Sequence, residues 1–348
     1  MTSNSAFASR ALLAVALTFG SAAHAQTAPQ VVWEVPTPSA LANSLQGVAW
    51  SPGAGTRVAV GSTDRWVRSR VAGSGALVWS ALQPHRSGSA DQTAYSTDGV
   101  LLAVHNSSGG AGYRVHRASD GVFLGVLTAT IQPNNIVTFA PDAQLVASTG
   151  DTGIARWRIA DFKVVRTVGS GYDKIATTFV FSPDATLQAA ASQGTITVQR
   201  RSNGAVVRLL TGGAPRSTTP MAFSPDNTRL AVWAASPNET TLFRIADGAV
   251  VMRFPNAASN EGVVAVRFSP GGTRLVTTGY HPFIRPDGLW DQRGVVRFWR
   301  VSDGAMRHDF EARTGIGVTS PVAWSPDFTR FAYGTYEGSV VAAVVPAP

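Results

Sequence analysis

Short runs of apolar and β-branched residues recur along the chain, and polar turns separate them. Residues 136–139, 229–233 and 249–254 are examples. Runs of this length that are bounded by clusters of Pro, Gly, Asp and Ser are typical of β-strands. No stretch has the spacing of an amphipathic helix, so the pattern predicts an all-β protein.

A short phrase recurs at the end of certain runs: an aromatic residue followed by Ser, Pro and Asp, or close variants. The residues at the Ser position lie 45, 44, 42, 42, 45 and 56 positions apart, and they are Ser51, Ser96, Ala140, Ser182, Ser224, Ser269 and Ser325. A period of about 40 to 45 residues is that of propeller blades rather than of shorter helical or leucine-rich repeats.

Each unit of the pattern has the same internal order. The aromatic residue of the phrase ends the first run, and a Pro-Asp turn leads to the second run. A third run, such as residues 295–301, ends at a turn such as Asp303-Gly304, and a fourth run completes the unit. Asp-Gly between two β runs is a strong hairpin signal. Because four short antiparallel strands make one propeller blade, the sequence predicts seven blades.

The two ends of the repeat complement each other. The last unit stops after its third run, residues 340–345, whereas residues 31–35 form a run that belongs to no unit. If the N-terminal run supplies the missing strand, six whole blades and one composite blade close a ring without an open sheet edge. We therefore expect a seven-bladed β-propeller over residues 26–348, with the last blade completed by the N-terminal strand.

The repeat resembles that of the WD40 family, and the resemblance covers essentially the whole chain after residue 25. The Phe-Ser-Pro-Asp turns and third runs such as residues 296–301 carry it. Trp157 and Trp299 stand where a WD40 repeat has its tryptophan, although Arg158 and Arg300 follow them in place of Asp. TolB-like exported propellers share the Pro-Asp turns. The resemblance implies degenerate WD40-like repeats that form a binding scaffold.

One connection breaks the period, between the second and third runs of the sixth unit at residues 279–294. The WD40 resemblance implies that this connection lies on the ligand-binding face, beside the connections between blades. Long loops on rigid scaffolds often carry function, and aromatic and arginine side chains are enriched in binding hot spots. The alternative is a loop that buries its own aromatic residues. The predicted partner-binding residues are Tyr280, His281, Phe283, Arg285, Trp290, Asp291 and Arg293, with His85 and Arg86 from an inter-blade connection on the same face.

The N-terminus has the features of a secretory signal peptide. Arg10 precedes the apolar run 11–19, and small residues lead to an Ala-His-Ala site at residues 23–25. The run is shorter than the roughly 20 apolar residues that a membrane-spanning helix needs. We expect residues 1–25 to be removed and the mature chain to be periplasmic or extracellular. The chain contains no Cys and no later apolar span, and we expect a monomer.

The net charge of +8 allows, but does not select, binding to a polyanion. Nearly all basic residues are arginines, and one series ends the third runs: Arg70, Arg117, Arg158, Arg200, Arg244 and Arg300. Repetition in successive blades spreads this series around the ring, whereas nucleic-acid binders cluster their basic residues on one face. The sequence therefore disfavours nucleic acid, and a polyanion-binding protein stays an alternative.

The sequence contains no motif of a serine hydrolase, a zinc protease or a phosphate-binding loop, and its histidines lack metal-ligand spacing. We therefore predict no catalytic residue, metal or cofactor. The predicted function is that of an exported, non-catalytic scaffold for a protein or peptide. The alternative is an exported propeller enzyme, such as a lactonase or another hydrolase. Such an enzyme needs acidic or histidine side chains around the central channel, where the first runs offer mainly Val, Ala, Thr and aromatic residues, with Arg267 as an exception.

Overall fold

The computed structural model describes most of the chain as β-strands and turns. The described residues are 29–36, 45–83, 90–106, 113–127, 133–141, 145–150, 153–168, 178–192, 195–211, 219–256, 260–312, 322–335 and 338–347. They contain no helix, which confirms the predicted all-β class. The predicted signal peptide, residues 1–25, lies outside the described residues.

The described strands form seven four-stranded antiparallel sheets. Strand β1 spans Val31–Pro36 and belongs to the last sheet. Sheets 1 to 3 contain β2 (Leu45–Trp50), β3 (Arg57–Ser62), β4 (Trp66–Val71) and β5 (Leu77–Leu82); β6 (Ala90–Tyr95), β7 (Leu101–Asn106), β8 (Tyr113–Arg117) and β9 (Phe123–Leu127); and β10 (Pro133–Phe139), β11 (Leu145–Gly150), β12 (Gly153–Arg158) and β13 (Val164–Val168).

Sheets 4 to 6 repeat the same order, and sheet 7 takes three strands from the end of the repeat. Their strands are β14 (Thr178–Phe181), β15 (Leu187–Ser192), β16 (Thr195–Arg200) and β17 (Val206–Thr211); β18 (Met221–Phe223), β19 (Arg229–Ala234), β20 (Glu239–Arg244) and β21 (Val250–Pro255); β22 (Gly262–Phe268), β23 (Arg274–Ile284), β24 (Trp290–Arg300) and β25 (Met306–Ala312); and β26 (Ala323–Trp324), β27 (Arg330–Gly334) and β28 (Ser339–Val344).

Sheet 7 is built from both ends of the repeat. Its strand order is β1-β28-β27-β26, and β1 pairs antiparallel with β28, with Val35 opposite Val340. The prediction that the N-terminal run supplies the fourth strand of the last sheet is therefore confirmed. The side chain of Trp33 on this strand is buried, and its Nε1–H donates a hydrogen bond to the Ala72 carbonyl of sheet 1 at 2.8 Å.

The repeated Ser-Pro-Asp phrase closes the turn from the first to the second strand of a sheet. In sheet 4, the Ser182 hydroxyl accepts the Leu187 N–H at 2.8 Å and donates to the Asp184 carboxylate at 2.6 Å. One hydroxyl thus satisfies a backbone donor and orients the carboxylate that caps the turn. Equivalent serine–aspartate bonds occur at Ser96 and Asp98, Ser224 and Asp226, and Ser325 and Asp327.

Apolar contacts lie between neighbouring sheets. Phe298 of sheet 6 packs with Trp324 and Phe331 of sheet 7, and Val340 of sheet 7 packs with Val58 of sheet 1. Similar clusters join sheets 1 and 2, 2 and 3, 4 and 5, and 5 and 6. Sheets pack face to face through such side chains, so the arrangement is consistent with a propeller.

Candidate functional site

Residues 279–294, which break the sequence period, form a hairpin that extends sheet 6. Strands β23 and β24 have 11 residues each, whereas β19 and β20 of sheet 5 have 6 each. The two strands pair continuously from Arg274 opposite Arg300 to Ile284 opposite Trp290. The extra residues thus lie between the second and third strands of the sixth unit, as the sequence indicated, but most of them continue the ladder of sheet 6 and do not form a loop.

A tight turn ends this extension. The Arg285 N–H donates to the Leu289 carbonyl at 2.9 Å, and the Gly288 N–H donates to the Arg285 carbonyl at 2.9 Å. Gly288 has a φ of 82°, a conformation that glycine adopts without steric cost. The Asp287 carboxylate accepts the Leu289 N–H at 3.2 Å and lies 2.8 Å from the Arg285 guanidinium. These bonds hold the tip of the hairpin in one defined conformation.

The tip of the hairpin exposes three large apolar side chains. The exposed fractions are 72% for Trp290, 61% for Leu289 and 60% for Ile284. Ile284 and Trp290 are opposite each other across the strands, so their side chains share one face of the hairpin. Together the three residues form a small apolar surface that projects from the sheet, and we call it the tip patch.

The other face of the hairpin is polar. By strand alternation it carries His281 opposite Arg293 and Phe283 opposite Asp291. The Arg293 guanidinium lies over the Phe283 ring, 4.3 Å from its centroid, which is a cation–π contact. The Arg285 guanidinium at the turn lies 4.0 Å from the Asp291 carboxylate. This arrangement orders the polar side chains among themselves.

A buried group of charges supports the base of the hairpin. Glu261 accepts two hydrogen bonds from the Arg297 guanidinium, at 2.6 and 2.7 Å, and Arg297 also lies 3.3 Å from Asp309. Burial alone would lower the pKa of Arg297, but the two carboxylates raise it instead. The His281 ring nitrogen Nδ1 lies 3.7 Å from Glu261, so the hairpin contacts this group directly.

Close packing also fixes the base of the hairpin. The ring of Tyr280 lies against Gly262 of β22, where an added Cβ would come within 2.3 Å of the ring. Only glycine fits this position without moving the tyrosine. The hairpin thus leaves the body of sheet 6 through a closely packed base, and a binding surface at its end would be presented by a rigid element.

The structure divides the predicted site residues into separate groups. His281, Phe283, Asp291 and Arg293 share the polar face, Arg285 lies in the turn, and Trp290 shares the opposite face with Ile284. His85 and Arg86 lie outside the described residues. Sequence reasoning missed Ile284 and Leu289. The Asp287-Gly288 turn signal could have located both, because residues that flank such a turn stand at a hairpin tip.

The arginines at the ends of the third strands have local partners. Arg158 and Asp161 lie 2.6 Å apart, and so do Arg244 and Asp247. Hydrogen bonds from these arginines lower the pKa of each aspartate to about 2. Arg117 and Arg300 pair in the same way with Asp120 and Asp303, whereas Arg70 donates to the Gly75 carbonyl at 2.9 Å. Four arginines of this series therefore pair with an aspartate in the turn that follows them.

The first strands of the sheets offer few groups for catalysis. Their charged residues in the described part of the chain are Asp91 and Arg267. The Arg267 side chain is exposed, and desolvation by the surrounding protein lowers its pKa. Within the described ranges, no three His, Cys, Asp or Glu side chains are grouped to hold a metal ion.

Comparison with known proteins assigns no family to this chain. No family model matches the sequence, and no curated protein matches it significantly. Among the described residues, nothing forms a helix that could cross a bilayer.

Proposed function

We propose that this chain is an exported, seven-bladed β-propeller with degenerate WD40-like repeats, and that it captures a protein or peptide through the tip patch. Seven four-stranded sheets, and the apolar contacts between neighbouring sheets, support the propeller. The pattern of residues 1–25 supports export to the periplasm or the extracellular space. The scaffold acts by presenting a binding element and not by catalysis.

The exposure of Trp290, Leu289 and Ile284 carries the binding proposal. The turn bonds and the paired strands hold these side chains away from the body of sheet 6, where they contribute little burial to folding. Aromatic residues surrounded by a polar rim dominate the energy of many protein interfaces. Arg285, Asp287 and Gln292 provide such a rim beside the tip patch.

Two observations favour this function over its alternatives. The pairing of Arg158 and Arg244 with turn aspartates weakens the argument for a polyanion-binding belt. The first strands carry no described set of acidic and histidine side chains for a hydrolase. By contrast, the hairpin is the element in which sheet 6 departs from the regular repeat.

The test compares affinity capture from the native exported fraction by the wild-type chain and by Trp290→Ser. Loss of a central aromatic contact should weaken capture of a specific partner by about 2 kcal/mol, or roughly thirtyfold in Kd. The matched control is Leu209→Ser, because Leu209 is 58% exposed on β17, far from the hairpin in sequence. Mass spectrometry of the same exported protein should place its first residue at Gln26.

A second variant removes the hairpin extension. Residues 282–292 are replaced by Asn-Gly, which forms a two-residue turn between His281 and Arg293. This variant should keep its folded circular dichroism spectrum and lose the partner. Equal partner recovery by the wild type, Trp290→Ser and the shortened hairpin would disprove the proposed site. Recovery that falls steeply with added salt in every form would instead favour a polyanion-binding function.

A further inference from the structure

A basic cavity lies at the end of sheet 6 that is opposite the hairpin tip. Its volume is about 370 Å³. Arg274 begins β23 and Arg300 ends β24, and the two residues are directly opposite each other across the strands. Four basic side chains line the cavity, which also has an apolar wall beside Phe298, and the lining residues are Thr273, Arg274, Phe298, Trp299, Arg300, Arg307 and His308.

The cavity has more positive groups than nearby carboxylates. Asp303 forms a close ion pair with Arg300 and lies 3.7 Å from Arg307. Arg274 donates to the Pro346 carbonyl at 2.9 Å and forms no ion pair within the described part of the chain. Asp303 thus pairs with two of the three guanidinium groups, and the third, that of Arg274, has a neutral carbonyl partner. Like charges directly opposite each other in a sheet are destabilising unless another group compensates them.

Sheet 5 shows that the repeat itself does not require this concentration of charge. Arg229 and Arg244 are opposite each other there, as Arg274 and Arg300 are in sheet 6, and Asp247 pairs with Arg244. The fourth strands of the two sheets are β21 and β25. By their register, Val251 of sheet 5 corresponds to Arg307 of sheet 6, and Met252 corresponds to His308. Sheet 6 therefore adds two basic side chains at positions where the neighbouring sheet has apolar ones.

We propose that this cavity binds a small organic oxyanion, a phosphate monoester or a carboxylate, whose carbon framework packs against the apolar wall beside Phe298. Guanidinium groups suit such anions because they donate two parallel hydrogen bonds to phosphate or carboxylate oxygens. The volume lies within the range of small-molecule sites, which combine apolar walls with a few polar groups. The site is separate from the hairpin tip.

The local environment of Arg274 supports this assignment. Desolvation lowers the pKa of Arg274, and its hydrogen-bond partner is a neutral carbonyl group. The His308 ring is bound at Nε2 to the Ala347 carbonyl at 2.7 Å, and it packs edge-on against Phe298. The segment after β28 therefore holds part of the cavity lining in place before any anion binds.

The test measures binding of phenyl phosphate, benzoate and inorganic phosphate to the whole chain by titration calorimetry. We expect phenyl phosphate or benzoate to bind more tightly than inorganic phosphate, because the ring contacts the apolar wall. Whichever of phenyl phosphate and benzoate binds more tightly identifies the preferred anionic group, phosphate or carboxylate. Arg274→Ala and Arg307→Ala should each weaken this binding at least about tenfold, the loss expected for one charged hydrogen bond. The matched variant Arg229→Ala in sheet 5 should bind as the wild type does.

A gain-of-affinity variant excludes a purely structural effect. Asp303→Asn removes the competing carboxylate but retains an oxygen for the Ala305 N–H that closes the turn. It should bind the anion several times more tightly, whereas Asp247→Asn in sheet 5 should not. The variant with the shortened hairpin should bind the anion with wild-type affinity. The anion site and the tip patch can therefore be disproved independently of each other. No saturable binding at millimolar concentration, or equal affinity in wild type and Arg274→Ala, would overturn the assignment.

Discussion

At the scale of single residues, the serine of the repeated phrase has two hydrogen-bonding roles. In sheet 7, the Ser325 hydroxyl accepts the Arg330 N–H at 2.9 Å and donates to the Asp327 carboxylate at 2.6 Å. The Ser325 hydroxyl first, and then the Thr329 N–H, lower the pKa of Asp327 below its usual range. The phrase recurs in the sequence because the same turn joins the first and second strands of several sheets.

Replacing this serine should therefore destabilise the fold. Ser325→Ala leaves the Arg330 N–H without its acceptor, and we expect a loss of about 1 to 3 kcal/mol in the free energy of unfolding. Urea denaturation at neutral pH measures the loss. Ser302→Ala, at an exposed turn serine, is the control and should change stability by less than about 0.5 kcal/mol. Equal effects of the two substitutions would contradict the role of the Ser325 hydroxyl.

The same turn determines the direction in which the stability of the fold changes with pH. The pKa of Asp327 is lowered in the folded state. Its contribution to the free energy of unfolding is therefore complete when the pH is above the ordinary aspartate pKa of 3.8. It is lost as the pH falls through the lowered value. Part of the penalty of Ser325→Ala should therefore disappear in acid, where the serine no longer donates to a carboxylate.

The arginine series shows what residue patterns can predict. Sequence periodicity located Arg158 and Arg300 at the position that follows the WD40-like tryptophan. It did not give their partners, because a repeat position alone does not show which side chain an arginine contacts. The spacing along the sequence does indicate these partners. Asp161 and Asp303 each lie three residues after the arginine, within the turn that the arginine precedes.

At the scale of elements, the hairpin of sheet 6 shows where sequence patterns mislead. Pro282 lies within β23, although proline cannot donate a ladder hydrogen bond. The structure accommodates it because β22 pairs with β23 only as far as Tyr280. On that unpaired side the Pro282 carbonyl accepts a bond from the Asn260 side chain at 3.3 Å. Tertiary context that the local sequence does not contain therefore decided the structure.

The charged group below the hairpin should be essential for this element. Glu261→Gln leaves Arg297 buried with Asp309 as its remaining carboxylate partner. Breaking a buried pair from one side should cost roughly 3 kcal/mol. Arg244→Ala disrupts an exposed pair and should cost less than about 1 kcal/mol. Urea denaturation of both variants measures the loss in the free energy of unfolding. A loss for Glu261→Gln as small as that for Arg244→Ala would contradict the role of this charged group.

At the scale of the whole molecule, the order of strands was predictable because each unit repeats one pattern. The sequence also predicted that residues 31–35 would complete the last sheet, and β1 does pair with β28. The tip patch was predicted only in part, because exposure depends on which residues the sheet leaves uncovered. Trp290 was anticipated as an aromatic anchor, whereas Ile284 was not.

Removing the N-terminal strand should destabilise the whole chain. Deletion of residues 26–36 exposes the edge of β28 and removes the buried Trp33 with its bond to Ala72. Loss of a buried tryptophan costs about 3 to 5 kcal/mol, so we expect the Tm to fall by roughly 10 °C. Deletion of residues 26–29 alone is the control. Calorimetry that finds the same transition in both truncated forms would rule out this role for β1.

The pairing of β1 with β28 also sets an order of events. Val35 and Val340 are opposite each other, although about 300 residues separate them along the chain, which is a very non-local contact. Among the described strands, β1 is synthesised first and its partner β28 last. Sheet 7 therefore cannot be completed until β28 has been synthesised, and β1 has no strand partner in its own sheet before then.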